Sequence, residues 1–388
     1  MSDRSVTSPP GTRPASVPTA DTPGGSISPC SPATRTPARS SSAAPSAGPG
    51  SIPAGGSGCS LVVHGPLAID AGDLADLVAR LDPARITVAG VMARCAAEEH
   101  GLAACWTAER PSAVLGRDPD AVLVNRGRDP VSGRVFGEEV ARRLDRPLVH
   151  LECADRVVIA WNGADGRPLA RRLGWPLEEH RAVPAATGGN CRTIRGCRPG
   201  DPVMVDGIVV GRATASEVRL VSDGETILAE AGCTLRAHGV EKLRRRGPIH
   251  LSGAWCTAGT LRDARPRRGG RRPRTGRVLV LDHDAVALYR GLAGDVCGVL
   301  AVGDDTTAAL LHLGVHLDLP VFGVTDGDGD GLVAGEGAPG SVVVRTNGER
   351  DDELGRELAG RLDGGPVDWD RFVADLLRYL GDRVRVVG

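Results

Sequence analysis

The sequence predicts an α/β protein in which two domains of parallel strands and helices flank a small antiparallel β module. Three observations carry this. Short Val-, Ile- and Leu-rich runs alternate with stretches of helical periodicity on both sides of the middle. Around residue 190 the rhythm changes, and two apolar runs flank Asp206-Gly207 in "DPVMVDGIVVGRA", a strong hairpin signal. Residues 1–57, by contrast, are Ser, Pro, Thr, Ala and Gly almost throughout, too polar to offset the entropy of ordering, so a disordered tail is expected there.

Order is expected from "CSLVVHGPLAIDAGDLADLVARLDP". Leu61, Val62 and Val63 read as a strand ended by Gly65-Pro66. Leu74, Leu77, Val78 and Leu81 then recur at helical spacing behind Asp70 or Asp73 as N-cap. "RITVAGVM", "DAVLVN", "RPLVHLE" and "DRVVIAWN" read as further strands and "GEEVARRL" as a helix, giving a Rossmann-like α/β domain over 58–183. The β module follows over 184–260. It repeats the hairpin device at Asp223-Gly224 and ends in a short helix or turn, "HGVEKLRRRG". Eight arginines between Arg262 and Arg277, broken by Pro and Gly, predict a solvated linker over 261–276. From 277 to 364 strands and helices alternate again. A final amphipathic helix over 365–388 places Phe372, Leu376, Leu377 and Leu380 on one face.

Charge bounds the function. With 47 basic and 48 acidic residues the whole chain is not built for nucleic-acid or membrane surfaces, and aromatics at 3% exclude a base-stacking platform. The positive charge is almost entirely arginine, Lys242 being the one lysine. No apolar run reaches the roughly 18 residues of a membrane span, and no secretory signal is visible. Ten cysteines without a CxxC pair suit buried positions in a reducing cytoplasm. Residues 278–388 hold 20 Asp and Glu against nine Arg, so this last α/β domain is acidic.

Its acids sit where strands end. Asp282 and Asp284 follow "RVLVL", Asp304 and Asp305 follow "VLAVG", and Asp326, Asp328 and Asp330 follow "VFGVT". If these strands are neighbours, the carboxylates converge, and such crowding raises pKa values or requires a cation. Hard oxygen ligands favour Mg²⁺ or Mn²⁺. Asp304 and Asp305 suit a helix cap equally well. An EF-hand is a poor fit: Asp326, Asp328, Asp330 and Gly331 match its first positions, but Gly337 stands where the closing glutamate belongs and a strand precedes the loop. The stretch resembles Toprim, the Mg²⁺-binding α/β domain of topoisomerases and primases. That resemblance rests on Asp326, Asp328 and Gly331 as Asp-x-Asp-x-x-Gly after a strand. It implies a metal held by Asp282, Asp326 and Asp328, with Asp284 and Asp330 as outer ligands and Asp282 in the catalytic position. Toprim enzymes carry glutamate there, and the shorter Asp282 weakens the case for nucleotidyl transfer.

Taken together, "VVHGPLAIDAGD", "VMVDGIVVGRATASEVRLV", "HGVEKL", "GDDTTAALLHLG" and "GVTDGDGDGL" resemble an uncharacterised family known chiefly from methanogenic archaea, over about residues 60–362. Other candidate ligand contacts are His64 with Asp70, and Arg126 and Arg128 in "NRGRDPVSGR", whose guanidinium forks suit phosphate or carboxylate. Neither GxGxxG nor a P-loop is present. The expected function is Mg²⁺-dependent binding of, or action on, a phosphate-containing small molecule or nucleic-acid end. The alternative is a non-catalytic ligand-sensing or assembly protein of archaeal metabolism.

Overall fold

The computed structural model describes residues 58–144, 146–183, 190–327 and 337–387. The expected tail at 1–57, and Asp328 and Asp330 of the Asp-Gly loop, lie outside the described residues. The first part contains β1 (Ser60–His64), α1 (Leu67–Asp70), α2 (Asp73–Leu81), β2 (Arg85–Ala89), α3 (Val91–Glu99), β3 (Cys105–Thr107) and α4 (Pro111–Arg117). It continues through β4 (Val122–Asn125), α5 (Pro130–Arg142), β5 (Leu148–Glu152), β6 (Val157–Trp161), α6 (Arg167–Leu173) and β7 (Leu177–His180). The strands form one sheet in the order β3-β2-β1-β4-β5-β6-β7. The first five in that order are parallel, whereas β6 runs against β5. Leu61, Val62 and Val63 are all buried because helices cover both faces of β1, which is why it reads as an unbroken apolar run.

Two helix starts differ from expectation. Neither Asp70 nor Asp73 caps α2; Gly72, at φ 81°, takes the N-cap, because a left-handed residue turns the chain between the two helices. Helix α5 begins at Pro130, well before "GEEVARRL". Asp129 accepts from the Ser132 backbone N–H at 2.8 Å in a capping box, and Pro130 fits the first turn, where its missing N–H costs nothing.

The middle part holds β8 (Cys191–Arg195), β9 (Pro202–Val205), β10 (Ile208–Ala213), β11 (Glu217–Ser222), β12 (Ile227–Ala231), β13 (Cys233–Leu235), α7 (Ala237–Arg245) and β14 (Cys256–Ala258). They form two antiparallel sheets, β13-β10-β9-β14 and β12-β11-β8. Asp206 and Gly207, both with positive φ (47° and 80°), make the expected two-residue hairpin between β9 and β10. At Asp223-Gly224 the loop is longer than expected. Asp223 accepts from the backbone N–H groups of Glu225 and Thr226, each at 2.9 Å, and this Asx-type closure holds four residues between the strands.

The last part runs β15 (Thr275–Asp282), α8 (Ala287–Gly291), β16 (Val296–Val302), α9 (Asp304–Leu317), β17 (Val321–Thr325), β18 (Val342–Thr346), α10 (Asp351–Ala359), β19 (Val367–Asp368), α11 (Trp369–Leu380) and β20 (Val384–Val386). The sheet order is β19-β15-β16-β17-β18-β20, with β15 to β18 parallel. As expected, α11 buries Leu376 and Leu380 with Phe372 and Leu377 at the margin. Gly298 sits mid-strand in β16 beneath the Trp369 indole, and an added Cβ would stand 2.0 Å from that ring. Gly298→Ala is therefore expected to cost about 1–3 kcal/mol through overpacking of a fully buried tryptophan, read as a lower urea midpoint at unchanged slope.

The arginine-rich stretch is not wholly solvated. Arg262, with a side chain 1% exposed, forks onto Asp70 (2.6 and 2.9 Å) and reaches Glu99 at 2.6 Å. Around it Met92 and Cys95 of α3 share a core with Leu310 and Leu313 of α9. The first and last sheets are thereby tied through their helices.

Candidate functional site

Because β15, β16 and β17 are adjacent and parallel, their carboxyl ends lie side by side, and the acids following them meet there. Asp304, opening α9, turns Oδ2 toward the neighbouring strand end and accepts from the backbone N–H groups of Asp326 (3.1 Å) and Gly327 (3.4 Å). Asp351, opening α10 after β18, completes a group in which one oxygen each of Asp304, Asp326 and Asp351 lies within 4.8 Å of the others. Asp351 is 1% exposed, and its Oδ2 has no hydrogen-bond donor among the described residues. Burial, with the neighbouring carboxylates, holds its pKa above the usual value even though a lysine stands near.

That lysine is Lys242, delivered by α7 of the β module. Its Nζ lies 3.6 Å from Asp351 Oδ2 and 4.0 Å from Asp326 Oδ2, and His238, one turn earlier on the same face, places Nε2 3.2 Å from Asp326 Oδ2. A helix from one sheet system thus supplies positive charge to an acidic crevice of another.

Asp282 belongs to a second group, with His283 and Asp352. Among the described residues no such group contains both Asp282 and Asp326, and Asp328, the third expected ligand, lies outside the described residues. His283, held at φ 53°, places Nδ1 2.5 Å from Asp282 Oδ1 and Nε2 3.6 Å from Asp352 Oδ1. Burial opposes charge on this imidazole, but the Asp282 carboxylate outweighs it and the pKa is raised. Asp282 in turn is lowered, chiefly by His283. Asp284 is engaged locally, accepting from the backbone N–H groups of Val286 and Ala287 at the start of α8.

The second group lines a cleft of about 1120 Å³ whose walls come from all three parts: Asp282, His283, Asp305 and Asp352 from the last, Lys242 and Arg246 from the β module, and His64 and Arg126 from the first. The first group adjoins it through Lys242, which lines the cleft and pairs with Asp351 and Asp326. Arg246 and Arg356 line it beside Asp282 and make no ion pair with a carboxylate among the described residues. Cys256 also lines the cleft, but burial pushes its thiol up to about 11, which leaves it a poor nucleophile.

Three of the expected ligand contacts have partners of their own. Asp70 is taken by Arg262. Arg126 binds Asp73 at 2.8 Å, and Arg128 forks onto Asp201 at 2.7 and 2.9 Å. The "NRGR" loop is held from beneath by Glu152, fully buried, which accepts from Asn125 Nδ2 (2.9 Å) and the N–H groups of Gly127 (2.8 Å) and Ala154 (3.0 Å). The Gly127 amide of the loop thus serves an internal carboxylate.

Sequence reasoning missed His238, Lys242, His283, Asp351 and Asp352 as members of the crevice. Two signals were present: Lys242 is the one lysine among many arginines, and "RDDELG" places acids at the helix start that follows the strand "SVVVRTN".

Residues 61–365 match the profile of a family described as "Uncharacterized protein conserved in archaea" (DUF2117). An uncharacterised protein of Methanocaldococcus jannaschii is 26% identical over 333 residues, covering 78% of this chain and 90% of that protein. No solved structure matches the chain. Among the described residues no helix is long and apolar enough to cross a membrane.

Proposed function

The chain belongs to this family of uncharacterised archaeal proteins, and we propose from its own residues that it binds a divalent cation, Mg²⁺ or Mn²⁺, together with a phosphate-containing ligand in the cleft between its sheets. The observation that carries this is Asp351, a buried carboxylate whose Oδ2 lacks a hydrogen-bond donor among the described residues and which groups with Asp304 and Asp326. A buried charge left short of hydrogen bonds is costly, and three carboxylate oxygens within 4.8 Å make a hard, anionic donor set that a small divalent ion relieves. The metal would supply charge neutralisation at a phosphoryl oxygen. Lys242, Arg246 and Arg356 add positive charge on the cleft walls for the rest of the phosphate.

A Toprim-like reading of residues 277–364 draws support from the acids at the ends of adjacent parallel strands, with Asp304 and Asp351 taking part alongside Asp326. A Rossmann-like reading of 58–183 draws support from the winding that reverses between β1 and β4. Free thiols at all nine described cysteines suit a reducing cytoplasm.

Calorimetry tests the metal directly. Mg²⁺ or Mn²⁺ titrated into the wild type is expected to give saturable heat, and the Asp304→Asn/Asp326→Asn variant none. A wild type silent at millimolar metal removes the proposed centre and leaves a ligand-sensing or assembly role, for which three walls from separate sheets are the supporting feature. If metal binds, a turnover screen on nucleotides and nucleic-acid ends separates a catalyst from a binder.

A further inference from the structure

Lys242, the contact with the acidic crevice, lines the cleft together with Asp282, His283 and Asp352, and the part of the cleft lined by the first sheet has a different character. In the first sheet the winding reverses between β1 and β4, and open α/β sheets receive ligands outside the carboxyl ends of the strands at such a reversal. His64 ends β1 there and Asn125 ends β4. The usual occupant of such a crevice is a phosphate on loop amides and a helix N-terminus, and here part of that donor set is used internally. Gly127 N–H serves Glu152, and Asp129 caps α5. Both nearby arginines are paired with aspartates. An anion has little to bind at this end.

What remains is apolar and flat. His64 and Phe136 stack with centroids 4.1 Å apart and planes at 11°, and both line the cleft. Burial pushes the His64 pKa down to about 4, so the ring is neutral at physiological pH. Its Nδ1 is buried without a partner among the described residues. A proton on Nε2 leaves only a lone pair unmet at Nδ1 and makes Nε2 a donor. Leu67, Met92, Met204, Ile208 and Trp255 continue the wall. In a chain with 3% aromatics, placing Phe136 and Trp255 with a neutral imidazole in one cleft favours a planar, weakly polar group.

We propose that the crevice at the ends of β1 and β4 takes the base of a nucleoside phosphate against His64 and Phe136, with the phosphates directed along the cleft to Lys242, Arg246 and Arg356, where Lys242 joins it to the Asp304, Asp326 and Asp351 group. The phosphate end rests on the function proposed above; the base end stands on the first sheet alone. This orientation places phosphate away from the first sheet, because both arginines of its loop are paired with aspartates and the Gly127 N–H serves Glu152.

The test uses the full chain with Mg²⁺ and compares inorganic pyrophosphate with adenosine, guanosine, cytidine and uridine 5′-diphosphates by calorimetry. At least one diphosphate is expected to bind about tenfold or more tightly than pyrophosphate, the scale of one stacked base. His64→Ala and Phe136→Ala are each expected to bring that nucleotide to the pyrophosphate level while leaving pyrophosphate itself unchanged. The unchanged pyrophosphate affinity shows that the variants are folded, and His64→Gln, which keeps a donor but no aromatic ring, is expected to lose most of the nucleotide preference too. Nucleotides binding no better than pyrophosphate would overturn the base site and leave the phosphate reading intact. A nucleotide preference that survives all three substitutions overturns the placement. If neither pyrophosphate nor any nucleotide binds, both readings fail together. Metal-independent nucleotide binding with no pyrophosphate binding removes the metal-phosphate reading alone.

Discussion

Replacing Arg262 by alanine is expected to lower the folding stability by about 3–5 kcal/mol, because it strands buried carboxylates without a partner. The guanidinium is 1% exposed, as is Glu99, and Asp70 takes two of its hydrogen bonds. Burial works against the charge on Arg262, but Asp70 and Glu99 overcome it and stabilise the guanidinium further. Glu99 is held below the usual carboxylate range despite its burial, chiefly by the Arg262 hydrogen bond. Losing Arg262 would leave two acids facing the core that α3 shares with α9, so the tie between first and last sheets should loosen together with the global fold. Urea unfolding followed by circular dichroism measures the loss. Arg262→Lys should recover part of it, since an ammonium keeps the charge and forfeits the fork. A loss below about 1 kcal/mol, the range of a surface pair, would show that this hub is solvated.

Asp351→Asn is expected to move two quantities in opposite directions. Divalent-metal affinity should fall by a factor of about 10–100 or more, since even outer-shell changes at metal sites reach that size. Stability of the metal-free protein should rise by about 1 kcal/mol near neutral pH, as a buried charge lacking a donor is replaced by a neutral group. The sign of the pH dependence follows from the raised pKa of Asp351 in the folded state. The folded protein holds that proton more tightly than the unfolded chain, so the associated stability is fully present below the unfolded carboxylate value. It is lost as pH rises through the higher folded value. Metal-free wild type should therefore lose stability relative to Asp351→Asn across this window, and the difference should level off above it. Unfolding curves of the two proteins in EDTA between about pH 4 and 8 read this directly. Saturating Mg²⁺ should reverse the order, because only the wild type gains binding energy. Equal metal affinity in both proteins would remove Asp351 from the centre.

Much of the architecture was legible locally. The Asp206-Gly207 turn declares itself because both residues tolerate positive φ, and the apolar face of α11 follows from its spacing alone. The run of β1 reads as buried because both its faces are. Where local reading failed, a residue from elsewhere had the deciding interaction. Asp73 does not cap α2, since Gly72 makes the turn. Arg262 looks like the first of a solvated series until Asp70 and Glu99, far earlier in the chain, close around it. Asp282 reads as a neighbour of Asp326, and among the described residues it groups with His283, adjacent in sequence at a positive φ, and with Asp352.

By itself, the sequence determined the order and type of most elements, the change from parallel to antiparallel rhythm, and the placing of acids at strand ends. These follow from side-chain periodicity and turn chemistry, which act over a few residues. Only the tertiary structure decided which acids share a crevice, that Lys242 and His238 reach into it from another sheet, and that the arginines of the "NRGR" loop face inward partners. Charge pairing is set by distance in space, and burial is set by which helices close over which sheet. Neither is encoded in the spacing of residues along one segment.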